Sequence, residues 1–400
     1  CIAFLIALFV AFLQNRALGY DEKITLIAKG LADDNIITMC LIFLTAGAFS
    51  GIVRAAGGAT ATVNVALNFL PTSLAVVGLF FIGCFISLAM GTSVGTITVL
   101  VPFAVGISQA TGYSPVLCVA ASASGAMFGD NLSMISDTTI AAVRTQGCQM
   151  KDKFKANFFI VLPAVIVTAI LYYILSINSA VDPLDVLPIT GTMHLQMLPY
   201  ILVLVGALIG INIFIVLVAG IVSSAIIGIA TGMFGIEDIF VCMGTGTTAM
   251  YDITVISIVV CCISSLVKEY GGIAFVLNFI KSRLKSKRGA QAGIAALVAG
   301  VDLATANNTI AIVMTGGLAK DISDEFGIDP KRTASLLDIF ASVVQGLIPY
   351  GAQLLYAAAG ATALLAEGAG FSSVSLVPFM FYPMAMALSA SVYIIIKGKK

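Results

Sequence analysis

Apolar residues in this chain run rather than alternate. Segments such as "FFIVLPAVIVTAILYYILSI" (158–177) are continuously apolar over the about 20 residues that a bilayer-spanning helix needs. A transmembrane β-barrel would instead show short strands of period two. The pattern predicts an all-α polytopic membrane protein, because a backbone in lipid must satisfy its own hydrogen bonds and helices do so within one segment.

Polar residues interrupt two of the long apolar stretches at their midpoints: "GTSVGT" within 74–104 and "TANNT" within 289–319. Each flank offers about 15 residues, or about 22 Å of helix, short of the roughly 30 Å hydrocarbon core. The spacing predicts two re-entrant hairpins with polar tips near mid-membrane. Loop charge agrees: "VGISQATGYSP" after the first hairpin is neutral like the loop before it. "KDISDEFGIDPKR" after the second carries basic residues, as does "KSRLKSKR" before it. Two further stretches, 116–143 and 333–358, are predicted to be broken transmembrane helices. There "FGDNLSMISDTT" (128–139) and "VQGLIPYGAQ" (344–353) put glycine, proline and polar side chains inside crossing segments.

These features come as two copies of one unit. An offset of 214 sets Gly57 and Gly58 on Gly271 and Gly272, and an offset of 215 sets Gly112 and Pro115 on Gly327 and Pro330. The basic loops 144–155 and 281–288 have non-basic mates, "AGATALLAEGAG" and "NFLPTSL". Basic loops stay in the cytoplasm, so the two copies are expected to be inverted-topology repeats, as in many secondary transporters. The expected organisation is an N-terminal helix and cytoplasmic loop (1–35), a first repeat (36–178), connecting helices (179–249) and a second repeat (250–400). The chain is placed in the plasma (inner) membrane, with loops 144–155 and 281–288 and the C-terminus cytoplasmic. It begins on Cys1 inside an apolar run, as expected of a segment cut from a longer chain.

Composition narrows the chemistry. Hydrophobic residues make up 60% of the chain and charged residues 10%, against roughly 25% charged in soluble domains. The 20 basic residues balance the 20 acidic ones and lie mainly in short loops, so nothing points to nucleic acid. Eight scattered cysteines and one histidine, His194, match no zinc or iron–sulfur spacing. The sequence therefore calls for no cofactor, only for sodium as a transported or coupling ion.

Hairpin tips and helix breaks are expected to converge on one polar chamber whose chemistry is all oxygen. The candidates are Thr92, Ser93 and Thr96 at the first tip, Asn307, Asn308 and Thr309 at the second, and Asp130, Asn131, Ser133, Ser136, Asp137, Thr138 and Thr139 at the break. Carboxylate, hydroxyl and carbonyl oxygens suit hard cations, and a sodium ion is placed at Asp130, Ser93 and Asn308. A low-dielectric surrounding disfavours the charged form of any carboxyl group. Asp130 and Asp137 are therefore the candidates for holding either a proton or the cation, a competition that constitutes antiport. Asp252, Asp302 and Asp338 are further acids within apolar segments, where an ionisable residue is functional by default. Arg54 and Lys268 are expected at interfaces, and His194 in a solvated loop. An intramembrane aspartyl protease fits poorly, since Met127 stands where a Gly-x-Gly-Asp motif needs glycine and the motif order is reversed. No enzyme is expected.

The pair "GTSVGT" and "FGDNLSMISDTT" resembles the signature of NhaC-type sodium/proton antiporters, within the larger ion-transporter superfamily. The likeness spans most of the chain and is strongest from Gly91 to Phe158. Val94 stands where many members have an aromatic residue, and Met134 where many have proline. The resemblance implies a homodimer with a static scaffold and a mobile transport domain moving as an elevator. It also implies relatives that handle malate and lactate or amino acids, so coupled transport of a small organic solute stays open beside sodium/proton exchange. The absence of Arg or Lys from the tips and breaks favours the cation.

Overall fold

The computed structural model describes residues 2–32, 34–58, 61, 72–133, 136–178, 191–209, 211–272, 275, 279, 284, 286–365 and 371–397. Met134, most of the run 281–288, Asp182 and Asp185, the tail beyond 397 and the side chain of Asp252 lie outside them. The described residues are all-helical. In chain order the helices are α1 (Ile2–Leu13), α2 (Tyr20–Leu31), α3 (Asp34–Ala55), α4 (Ala75–Met90), α5 (Ser93–Thr111), α6 (Pro115–Leu132), α7 (Asp137–Gln146) and α8 (Met150–Asn178). Then follow α9 (Gly191–Gln196), α10 (Leu198–Ile209), α11 (Ile213–Ala230), α12 (Ile239–Ala249) and α13 (Tyr251–Glu269). The C-terminal part contains α14 (Lys287–Thr305), α15 (Asn308–Phe326), α16 (Pro330–Gln345), α17 (Ala352–Leu364), α18 (Ser373–Leu376) and α19 (Phe381–Lys397).

Helix α8 shows why this is a membrane protein. Its 29 residues span about 44 Å, and Phe159, Ile166, Ile170 and Ile174 expose an apolar stripe along one side. Among the described residues, α5 and α8 are each long and apolar enough to cross a membrane alone. The segments Ser373–Phe379 and Phe381–Ile396, bent by 50°, make a third candidate crossing.

The same local devices build both tip regions. Helix α4 ends at Gly91, whose left-handed φ of 67° closes the last turn. Thr92 then caps α5, its hydroxyl accepting from the Gly95 amide. In the second region Ala306 takes the left-handed place at φ 51°, and Asn307 caps α15 by accepting from the Ile310 amide. The far ends agree as well: Gly112 and Gly327 are left-handed C-caps, and Pro115 and Pro330 open α6 and α16. The expected arm length needs correction. Helices α5 and α15 each run 19 residues, about 28 Å rather than the 22 Å expected, because the glycine caps, and not the first polar residues, terminate them.

Both predicted breaks are present. Helix α6 stops at Leu132 and α7 begins at Asp137; α16 stops at Gln345 and α17 begins at Ala352. Helix α6 is held close against α4, since a Cβ at Gly125 would run into the Phe80 carbonyl and one at Gly129 into Ser87. Small residues at such crossings let helix backbones approach. The stretch 198–250, which the sequence left open, resolves into α10, α11 and α12, with α12 packed along α3. His194 lies on the short helix α9 and is exposed.

Candidate cation site

Breaking α6 frees backbone carbonyls inside the protein, and each must find a donor. The Asp130 carbonyl accepts from the hydroxyls of Thr138 (3.0 Å) and Thr139 (3.1 Å), in the first turn of α7. The Asn131 carbonyl accepts from Lys153 Nζ and Asn157 Nδ2, both at 2.9 Å. With its main chain held this way, Asp130 presents its carboxylate to the tip of the α4–α5 pair. Ser93 Oγ donates to Asp130 Oδ2 at 2.6 Å and the Ser93 amide to Oδ1 at 3.2 Å. From the other tip, Asn308 Nδ2 lies 3.5 Å from Oδ2.

Ser93 and Asn308 are the first residues of α5 and α15, so two helix N-termini converge on one carboxylate. The partial positive charge at a helix start favours an anionic group there. Asp130 is 3% exposed, and its carboxylate enters no ion pair with a described Lys or Arg. The tips are tied to the second break by amides: Gln353 Nε2 donates to Ser93 Oγ (3.0 Å), and Gln345 Nε2 to Gln353 Oε1 (2.6 Å) and to the Ala306 carbonyl (3.2 Å).

These groups face a cavity of about 530 Å³, lined by Thr92, Ser93, Asp130, Ser136, Asp137, Thr138, Asn307, Asn308, Thr309, Gln345 and Gln353. Lys29, Lys268 and Glu269, all exposed, belong to the same lining. Of the sequence candidates, Asp130, Ser93 and Asn308 meet directly. Ser136 and Thr138 share a hydroxyl contact at 2.9 Å, and Asp137 is exposed at the cavity's edge. Others turn away. The Thr96 hydroxyl donates to the Thr92 carbonyl and that of Ser133 to the Leu88 carbonyl. Asn131 points at a second polar centre, donating to Asp338 Oδ2 at 3.2 Å and accepting from the Tyr382 hydroxyl at 3.1 Å.

That second centre corrects the sequence reading. Lys153, counted among the cytoplasmic loop charges, is 1% exposed and forms an ion pair with the fully buried Asp338 at 2.7 Å. Its other contacts are the Asn131 carbonyl and Thr139 Oγ1, at 2.6 Å, so a lysine does reach the first break. Asn157 completes the centre by donating to Asp338 Oδ2 at 2.9 Å. Lys153 and Asn157 are four residues apart, on one face of α8; that spacing was the available signal. Charge counting alone treats every basic residue near a loop as solvated. Gln345 and Gln353 stand within "VQGLIPYGAQ", whose glycines and proline signal a backbone break and say nothing of its side chains.

All-helical described residues with membrane-length apolar helices, two broken helices and a cavity that reaches the buried Asp130 define an integral membrane transporter, and comparison with known proteins places it more closely. The sequence matches the profile of the Na+/H+ antiporter family over residues 2–177 and 176–398, and the chain belongs to that family. It is 24% identical to the Na(+)/H(+) antiporter NhaC of Bacillus subtilis, covering 93% of this chain and 87% of that protein. It is also 24% identical to the malate-2H(+)/Na(+)-lactate antiporter of the same organism, covering 98% and 88%. Among solved structures, the YdaH transporter of Alcanivorax borkumensis aligns over 91% of this chain and 89% of its own at 15% identity, with a TM-score of 0.44.

Proposed function

We propose that this protein exchanges sodium for protons across the membrane by alternating access, with Asp130 as the group for which the two ions compete. One observation carries the reading: Asp130 is buried between the N-termini of α5 and α15, touched by Ser93 and Asn308 and free of any ion pair among the described residues. A sodium ion there takes oxygens from Asp130, from Ser93 and, after its amide turns, from Asn308. Protonation of Asp130 removes the charge that holds the ion. Both ligands cannot occupy the site together, so each binds as the other leaves. Thr92, Ser136, Thr138, Asn307 and Thr309 shape the approach, and Asp137 at the exposed edge hands ions to the interior.

The 215-residue repetition of caps and breaks supports two inverted-topology repeats. In this reading the hairpin pairs α4–α5 and α14–α15 move with the breaks as an elevator against a static, dimer-forming scaffold. Loop 144–155 faces the cytoplasm through Arg144, Lys151 and Lys155, which are exposed.

A second reading, sodium- or proton-coupled movement of an organic acid, is favoured by Lys29 and Lys268 on the cavity lining. It also fits the relative named as a malate-2H(+)/Na(+)-lactate antiporter. Proteoliposomes loaded with a pH-sensitive dye separate the two. Under the first reading an imposed sodium gradient alone moves protons, and acidification raises the sodium concentration needed for half-maximal flux. Proton flux that appears only on adding malate or lactate establishes the second.

A further inference from the structure

Asp302 is a buried carboxylate that exchange at Asp130 leaves unused. It lies on α14 one turn before the helix ends, it is fully buried, and neither carboxylate oxygen accepts a hydrogen bond. The backbone amides of Asn307 and Gln345 lie against it, neither in the geometry of a normal hydrogen bond. Among the described residues the ion pairs are Lys153–Asp338 and Lys331–Asp329, so no cationic side chain offsets Asp302. Its place on the helix adds to the problem. Ala306 stops α14 in a left-handed turn, so the negative end of this half-helix lies beside the carboxylate.

A third orphan oxygen belongs to Gln345, the last residue of α16. Gln345 is 1% exposed, and its Oε1 has no hydrogen-bond partner, while its Nε2 is held by the Ala306 carbonyl and Gln353 Oε1. Two buried oxygen atoms at the end of α14, and one on a side chain tied to that end through the Ala306 carbonyl, thus lack a hydrogen bond of normal geometry and a cationic side chain. Native interiors leave such groups unsatisfied only where something else meets the need.

We propose that Asp302 and Gln345 form a second monovalent-cation site, distinct from Asp130, that takes sodium. One carboxylate matches one unit of positive charge, and a hard cation is met by the carboxylate and amide oxygens. The two sites are joined by amides, since Gln345 contacts Gln353 and Gln353 contacts Ser93, which holds Asp130. Filling one site reorients this relay and changes the affinity of the other. The unpaired oxygens of Asp302 call for a cation whether or not Asp130 exchanges ions.

Radioactive sodium binding to the purified full-length protein tests it. The wild type is expected to bind two ions per chain, and Asp130→Asn and Asp302→Asn one each. Asp302→Glu, which keeps the charge, is expected to bind two with weaker affinity. Stoichiometry and affinity unchanged in Asp302→Asn overturn the second site, whereas no change in Asp130→Asn overturns the exchange reading instead. A folding defect in Asp302→Asn is bypassed by thermal unfolding in the Asp130→Asn background. There, added sodium still raises the unfolding temperature if the second site exists, and the absence of any sodium-induced rise overturns it.

Discussion

Asp130 and Asp338 occupy the same buried interior, and their neighbouring residues give them opposite fates. Asp338 is locked: Lys153 neutralises it at 2.7 Å, and two asparagine amides donate to the same oxygen. Asp130 receives a hydroxyl, a backbone amide and a distant side-chain amide, none carrying a full charge. A carboxylate with a fixed counter-ion has nothing left to exchange. One held by neutral dipoles keeps a charge that a mobile ion can fill. The difference teaches that burial alone does not set a carboxylate's surroundings; a fixed cation separates these two.

The comparison breaks most sharply at Asp130. Asp130→Asn keeps the hydrogen-bonding shape and removes the charge, so sodium-driven proton flux in proteoliposomes should vanish. Measurable exchange with this variant would transfer the role to another acid. Next in size is the locked pair. Lys153→Met strands a charged Asp338 in the interior, at a cost of about 3–5 kcal/mol, read as a lowered unfolding temperature. The double variant Lys153→Met/Asp338→Asn removes both charges and should recover most of that stability. If transport also returns in the double variant, Lys153 serves only to balance Asp338. A persistent defect shows that its contacts to the Asn131 carbonyl and Thr139 hold the break in place.

Smaller effects sharpen the picture. Ser93→Ala removes a hydrogen bond to a charged group, worth about 1.5–3 kcal/mol. The sodium concentration for half-maximal flux should rise about 10- to 100-fold. Gln353→Leu removes the support behind Ser93, and about 1 kcal/mol corresponds to a roughly fivefold rise. Asp137→Asn, at an exposed position, should shift the same measurement by about twofold or less. An effect as large as that of Asp130→Asn would move the exchanging group out to the cavity edge.

Much of this architecture was legible in the chain itself. Continuous apolar runs forced helices, because lipid offers the backbone no partners. "GTSVGT" at 91–96 and "TANNT" at 305–309 announced an interruption of each apolar stretch, and the run 128–139 announced a break, since those polar residues compete locally for backbone groups. From these came the meeting of Asp130, Ser93 and Asn308, residues from two halves of the chain. The sequence pattern makes α5 too short because polar residues such as Ser108 and Thr111 look like loop. Their hydroxyls instead donate to backbone carbonyls, Ser108 to Tyr113 and Thr111 to Ile107, which lets a helix carry them in an apolar setting.

What only the tertiary structure decided is which charges cancel. Lys153 lies 185 residues from Asp338, and locally only Asn157, four residues on, distinguishes it from Lys151 or Lys155, which are exposed. Its burial follows from the face of α8 that packs against the broken helix, where a freed carbonyl and a carboxylate together repay the removal of an ammonium from water. Sequence determined the kinds of atoms available and where the backbone must break. Packing across the two halves determined which carboxylate received a charged partner and which, among the described residues, did not.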